Sequence, residues 1–313
     1  MPMPLSSLVS RVSRRRLATA ASLLTFVAVP LALSACGADE NAAAEPKVNL
    51  KARTATEKDY DPKNFSADSI KVENVWHPLR PGTQFVFQGR SNRGHGQLPH
   101  KVIFTVTDLT KVIDGVNTVV LFDRDINNGK LLEAEITFFA QDKDANVWNF
   151  GEYPEEYAKD GSFDGAPSTW MSGIQDAQAG ILMRGDPRPG TPSYKQGDAP
   201  KINFGDTAKV LKTGQKSCVP VKCFKDVLVI DETNPLEPED GHQLKYYAPG
   251  VGNVSVAPGK GGKEREILEL TAIHKLSPAR LTAMREGALK LDRRAYKTVK
   301  KVWATTERAV LAN

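Results

Sequence analysis

Between Val72 and Lys275 the apolar residues fall into short runs that alternate with polar ones, the period of a half-buried strand rather than a helix. Thr83 to Gln88, Lys101 to Val106, Asn117 to Phe122 and Glu135 to Phe139 are rich in β-branched and aromatic residues, which fit a pleated surface. Asp114-Gly115 and Asn127-Asn128-Gly129 separate them. These residues tolerate the positive φ of tight hairpins, so consecutive strands are expected to neighbour one another in a meander. A second set is expected over Thr207 to Ser217, Phe224 to Asp231, His242 to Ala248 and Glu264 to His274. The expected fold class is therefore mainly β, a β-rich α+β domain. It is a curved antiparallel meander sheet or half-barrel over residues 66–275, with a C-terminal helical tail.

Two segments break that rhythm. Tyr153 to Gly205 is dense in Gly, Pro and Asp, with Trp170, Met171, Ile181, Leu182 and Met183 embedded in it; a loop this long inside a domain is a candidate flap over a ligand. From Ser277 the period changes. Ser277 reads as an N-cap with Pro278 in the first turn, and Leu281, Met284, Ala288, Leu291 and Ala295 recur at spacings of three and four. The tail 276–313 carries nine Lys or Arg against three acids. It reads as a basic amphipathic helix that either packs on the sheet or lies on an anionic surface.

The start of the chain is of another kind. Arg11, Arg14, Arg15 and Arg16 precede an uncharged apolar run from Leu17 to Leu33, with Ser34-Ala35-Cys36-Gly37 directly after it. That is a positive n-region, a hydrophobic h-region and small residues at a cleavage point. The run is short for a bilayer span, which takes roughly 20 apolar residues, and Pro30 interrupts it. Leu33-Ser34-Ala35-Cys36 resembles the lipobox of bacterial lipoproteins, which implies cleavage before Cys36 and acylation of its thiol. Ser13-Arg14-Arg15-Arg16-Leu17-Ala18 also resembles a twin-arginine signal, although Leu17 stands where Phe is usual, so both that route and the general secretory one stay open. Residues 1–35 are therefore expected to be a lipoprotein signal peptide. Residues 36–65, poor in bulky apolar side chains, are expected to be a flexible tether with a reach on the order of 30 Å.

Removing the leader changes the charge argument. The whole chain has a formal net charge of +5, and the segment before Cys36 holds four arginines and no acid, so the chain from Cys36 onward is near neutral. No nucleic-acid partner is implied. The expected partners are a membrane, reached through the lipid on Cys36, and a lipid or other apolar ligand; the oligomeric state is left open.

Chemistry-bearing motifs are sparse. Cys218 and Cys223, four residues apart in an exported chain, are read as a disulfide, since a zinc site would want more ligands nearby. Asp123, Asp125 and Asn127, and again Asp142, Asp144 and Asn146, echo calcium loops but lack the Gly and Glu those loops need, and both are expected at hairpin turns. His95 and His100 stand in a Gly-rich turn with no neighbouring Cys, Asp or Glu. Glu152, Glu155, Glu156, Asp160 and Asp164, with Tyr153, Tyr157 and Trp170, could serve glycan chemistry through paired carboxylates. No catalytic motif, metal site or cofactor is expected.

The phrases Ala140-Gln141-Asp142-Lys143-Asp144-Ala145-Asn146-Val147-Trp148-Asn149-Phe150-Gly151-Glu152, Lys245-Tyr246-Tyr247-Ala248-Pro249-Gly250-Val251-Gly252 and Leu276-Ser277-Pro278 resemble, over Val72 to Ala309, a family of secreted bacterial proteins, many of them lipoproteins, that brings no assigned activity. Cys218 and Cys223 depart from its habit. The curved sheet on a lipid anchor also looks like the half-barrel carriers that handle lipids and lipoproteins in cell envelopes, which is an analogy of fold alone. The function expected is non-catalytic binding of an apolar or amphipathic envelope ligand, with Trp170, Met171, Met183, Phe104 and Phe122 as candidate contacts. The alternatives are a structural or protein-interaction module and a cell-wall glycan-active enzyme.

Overall fold

The computed structural model describes residues 56–92, 96–261 and 266–312. The signal peptide, Cys36, the tether up to residue 55 and His95 lie outside them.

The alternating runs form long antiparallel strands: β1 (Thr83–Asn92), β2 (Gln97–Ile113), β3 (Val116–Asn127), β4 (Lys130–Gln141) and β5 (Val147–Tyr157). The hairpin residues behave as their chemistry requires, with Asp114, Gly115, Asn128 and Gly129 all at positive φ. After β5 the chain makes β6 (Phe163–Gly165), β7 (Trp170–Met171), β8 (Gln178–Met183), β9 (Tyr194–Lys195) and β10 (Gly197–Asp198). The second set comes next as β11 (Thr207–Val219), β12 (Lys222–Thr233), β13 (Gln243–Ala248), β14 (Gly252–Pro258) and β15 (Glu266–Lys275).

One antiparallel sheet runs in the order β10-β8-β5-β4-β3-β2-β1-β15-β14-β13-β12-β11-β9. Its two ends are the same stretch of chain. Gly197 and Asp198 pair with β8, while Tyr194 and Lys195 pair with β11, and only Gln196 stands between. The expected curved antiparallel sheet is thus present, and it curls into a nearly closed barrel. Closure needs a close backbone approach at Gly180, where a Cβ would come 2.2 Å from the Gly197 nitrogen.

Closure also recasts the segment Tyr153 to Gly205. Its Trp170, Met171 and Ile181 are ladder residues opposite β5, so much of the expected loop is short strand. The side chains that fold over the inner face come instead from the β11–β12 hairpin. Register irregularities between Val210 and Ser217 bend it, and Val219, Phe224 and Val227 pack with Phe87, Leu268 and Leu270. Cys218 and Cys223 sit opposite one another near its tip, joined by a disulfide with a Cα separation of 3.9 Å.

The tail continues as α1 (Pro278–Thr298), α2 (Lys300–Trp303) and β16 (Val310–Leu311). Ser277 caps α1 by accepting a hydrogen bond from the Arg280 backbone. Ala288, Leu291 and Ala295 are buried, and Trp303 lies 5.8 Å from Phe138 and 5.2 Å from Tyr153 between ring centres. The apolar stripe therefore covers the outer face of the barrel and is not free for a membrane surface. Lys111, fully buried, locks this layer in place through Asp292 at 3.0 Å and the Tyr296 hydroxyl at 3.2 Å. Among the described residues no helix is long and apolar enough to cross a membrane.

The part of the expected tether that is described, residues 56–65, is not free chain. It forms 3-10 turns at Glu57–Asp59 and Pro62–Asn64. Its two aromatic rings, Tyr60 and Phe65, pack 5.7 Å from Trp148 and 5.4 Å from Phe150. Two aromatics supply the apolar area that the rest of the stretch lacks.

Candidate functional site

Because strand side chains alternate, β3 sends Leu121 and Asp123 into the barrel and Phe122 out of it. Inside, Phe85, Phe87, Phe104, Val106, Leu121, Phe139, Leu182 and Tyr247 wall an apolar cavity of about 60 Å³, closed at one end by His77, Pro78, Val251, Gly252 and Asn253. Phe87 and Phe104 meet edge to face at 5.7 Å. His77 stands 5.8 Å from the Phe139 ring and 6.3 Å from the Tyr247 ring.

Four polar side chains of this wall carry buried atoms without a hydrogen-bond partner, the Asn253 amide being one of them. Both oxygens of Asp123, both ring nitrogens of His77 and the Thr137 hydroxyl are buried without a hydrogen-bond partner. A buried polar group left unsatisfied costs about 1–3 kcal/mol, so such a cluster marks a place where something else belongs. Burial, reinforced by the charge of Glu152, holds the Asp123 carboxyl well above the usual carboxylate range. Burial, with Lys245 adding to it, pushes the His77 imidazole down to about 4. The His77 imidazole is therefore uncharged at neutral pH and brings no positive charge of its own to the cavity. Burial likewise lifts the Tyr247 hydroxyl well above its ordinary range.

Around the cavity the inner face of β3 to β5 is acidic. Asp123 stands directly across from Glu135, Asp125 from Glu133, and Thr137 from Glu152. All of these acids are buried. Glu152 accepts hydrogen bonds from Asn149 and from the Trp170 indole at 2.7 and 3.1 Å. His100 is held between Asp125 at 3.3 Å and Glu266 at 2.7 Å. On the far side, Glu232 pairs with buried Lys245 and accepts a hydrogen bond from Gln196. Among the described residues no group of three or more His, Cys, Asp or Glu could hold a metal ion.

Of the side chains singled out in the sequence, Phe104 lines the cavity. Phe122 lies on the outer face, where a Cβ on Gly287 of α1 would touch its ring at 2.8 Å. Trp170 stacks on Phe204 at 5.1 Å in a separate cluster. Met183 is buried in the main core. Met171 borders an open recess of about 270 Å³ beside Asp114, Ser172 and Thr306, whose polar walls carry no comparable orphaned group. From the expected flap, only Leu182 reaches the cavity.

The acidic motifs also find other places than the sequence suggests. Asp123 and Asp125 lie within β3 rather than in a turn, so they do not wrap a calcium loop. Asp142 does sit in a turn. Its carboxylate is used up by the backbone of Asp144 and Asn146, the Asn146 amide and the Trp148 indole, at 2.8–2.9 Å. Glu155 faces outward to Arg294 at 2.8 Å and to the hydroxyls of Tyr153 and Tyr157, whereas Glu152 faces the interior. The two do not converge on one substrate face. Asp160 bonds Ser162 at the surface. Sequence reasoning missed His77 and Thr137 because each is one polar residue inside an otherwise apolar or strand-like run, and it placed Asp123 in a turn because Asp125 and Asn127 follow it.

No family model and no curated protein matches the chain. Two solved structures are distantly similar. One, from Bacteroides fragilis, is described as an exported protein with a YmcC-like fold; it is 15% identical and covers 64% of this chain and 100% of its own, with a TM-score of 0.37. The other, from Parabacteroides distasonis, is described as a lipoprotein; it is 13% identical and covers 64% of this chain and 99% of its own, with a TM-score of 0.31. Likeness at this level carries no argument about this chain.

Proposed function

We propose that the chain is an extracytoplasmic lipoprotein, anchored through Cys36, whose barrel binds a small amphipathic molecule without catalysis. The observation that supports the binding is the cavity itself: apolar walls enclosing the unpartnered polar atoms of His77, Asp123 and Thr137. A ligand with an apolar body and one polar head satisfies both kinds of surface, and each hydrogen bond it makes to those atoms removes a desolvation cost. The size sets a limit. A drug-sized ligand takes roughly 300 Å³ or more, and about 60 Å³ admits a head group or the tip of a chain, not a whole lipid. The anchor rests on the arginines, the apolar run and the small residues before Cys36.

Two experiments test this. Replacing Cys36 with Ser should move the protein from the membrane fraction to the soluble one; mature protein that stays membrane-bound would sink the anchor. The Cys36→Ser protein, analysed by native mass spectrometry, should carry a small molecule that Leu121→Trp, which fills the cavity, displaces. A bare mass for both, with equal thermal stability, would leave a water-filled interior. That outcome favours the second reading, a structural or interaction module, for which the edge-to-face filling of the barrel by Phe87 and Phe104 is the supporting observation.

A further inference from the structure

The cavity wall has a chemical bias that narrows the ligand. Along one row of the sheet, Phe85 stands opposite Phe104, Phe104 opposite Asp123, and Asp123 opposite Glu135. One row over, Leu121 stands opposite Thr137, and Thr137 opposite Glu152. Carboxyl groups placed directly across strands on one face repel when ionised, and of these three only Asp123 lines the cavity beside the aromatic rings. Asp123 is 1% exposed and without a hydrogen-bond partner.

The nearby cations are turned elsewhere. Arg124 is next to Asp123 in the strand and so points to the opposite face, where it meets the Phe122 ring and the Met284 sulfur. Lys245 is committed to Glu232. What remains is a buried acid beside Phe85, Phe87, Phe104 and Phe139, whose ring faces carry negative potential and attract a cation within about 6 Å. A metal ion is a poor fit, since a hard cation asks for several oxygen ligands and the wall around Asp123 is mostly hydrocarbon.

We infer that the cavity takes the head group of an organic ammonium cation, with Asp123 as its counter-ion and the phenylalanine rings as its cage. The inference rests on the reading of this cavity as a ligand site. A methylated ammonium is a small apolar-surfaced ball with a positive charge, which is what a compact aromatic pocket with one carboxylate complements.

The test is a pair of probes that share shape and differ in charge: choline, and 3,3-dimethylbutan-1-ol, in which carbon replaces the charged nitrogen. Titration calorimetry on the Cys36→Ser chain should show choline binding at least tenfold more tightly than the alcohol. Asp123→Asn should weaken choline at least tenfold and leave the alcohol unchanged. Phe104→Leu, which keeps the carboxylate and removes a ring, should weaken choline severalfold and serves where Asp123→Asn does not fold. Equal affinity for the two probes, or variants that bind choline as the parent does, overturns the cationic ligand while the cavity reading stands. Binding of neither probe overturns the inference. Coupled with a bare mass in native spectrometry, it overturns the cavity reading too.

Discussion

His77 offers a direct measure of how the cavity couples to stability. Both of its ring nitrogens are buried and unbonded, and its pKa falls from 6.5 to about 4 on folding. The unfolded chain therefore binds a proton that the folded chain refuses. Between these values stability rises with pH, and it is lost as pH falls from 6.5 toward 4. One pKa unit corresponds to about 1.4 kcal/mol. The group thus removes about 2 kcal/mol at pH 5 and about 3 kcal/mol at pH 4 relative to pH 8. Asp123 acts in the opposite sense: its raised pKa makes the folded state hold a proton that the unfolded chain releases above its ordinary value. The two effects separate by mutation. His77→Phe keeps an aromatic ring against Phe139 and Tyr247 and cannot titrate. Urea denaturation of both proteins from pH 8 to pH 4 should give free-energy curves that diverge on acidification, the variant gaining about 3 kcal/mol on the parent by pH 4. Parallel curves would show that His77 keeps an ordinary pKa, and the reading of its ring as buried and unpartnered would fall with them.

Other perturbations probe the frame. Gly180→Ala places a Cβ against the Gly197 nitrogen and the Gln196 carbonyl carbon; it should cost about 3 kcal/mol by overpacking, seen as a lowered denaturation midpoint with amide exchange rising first at residues 194–198. Lys111→Met strands the buried Asp292 carboxylate, which then keeps only Trp303 and the Ala309 backbone. The expected loss is about 3–5 kcal/mol, most of it recovered in the double variant Lys111→Met, Asp292→Leu. Replacing Cys218 and Cys223 by Ser opens a very short loop, so unfolding free energy should fall by only about 2 kcal/mol; a loss of cooperative folding would show a larger role for the bridge than the fold implies.

The meander was legible because its signals are local. Alternation, the Asp114-Gly115 and Asn128-Gly129 turns and the Ser277-Pro278 cap each state one rule within a few residues. The closure was not legible, because two-residue pairings at Tyr194–Lys195 and Gly197–Asp198 leave no periodic trace, and the glycines that permit them read as loop. The site failed for a different reason. Asp and Asn near Asp123 suggest a turn when the expected interior is apolar. An enclosed barrel reverses that logic by burying acids on its inner face. Phe122 and Phe104 were indistinguishable until the register assigned one to each side of the sheet. At the other end of the chain, Tyr60 and Phe65 were too few to change the composition of the stretch they anchor.

The sheet order sets the first long strand beside the last, Thr83 against Lys275, and this fixes a timetable as well as a shape. Until β15 has arrived, β1 offers an unpaired edge that bears Phe85 and Phe87, an open template for another chain. Contacts so distant in sequence form slowly. Were the chain exported as proposed, a route that carries it across the membrane already folded would close this seam before it met the outside. A route that threads an extended chain would deliver β1 first and β15 last, with the aromatic edge uncovered throughout the passage.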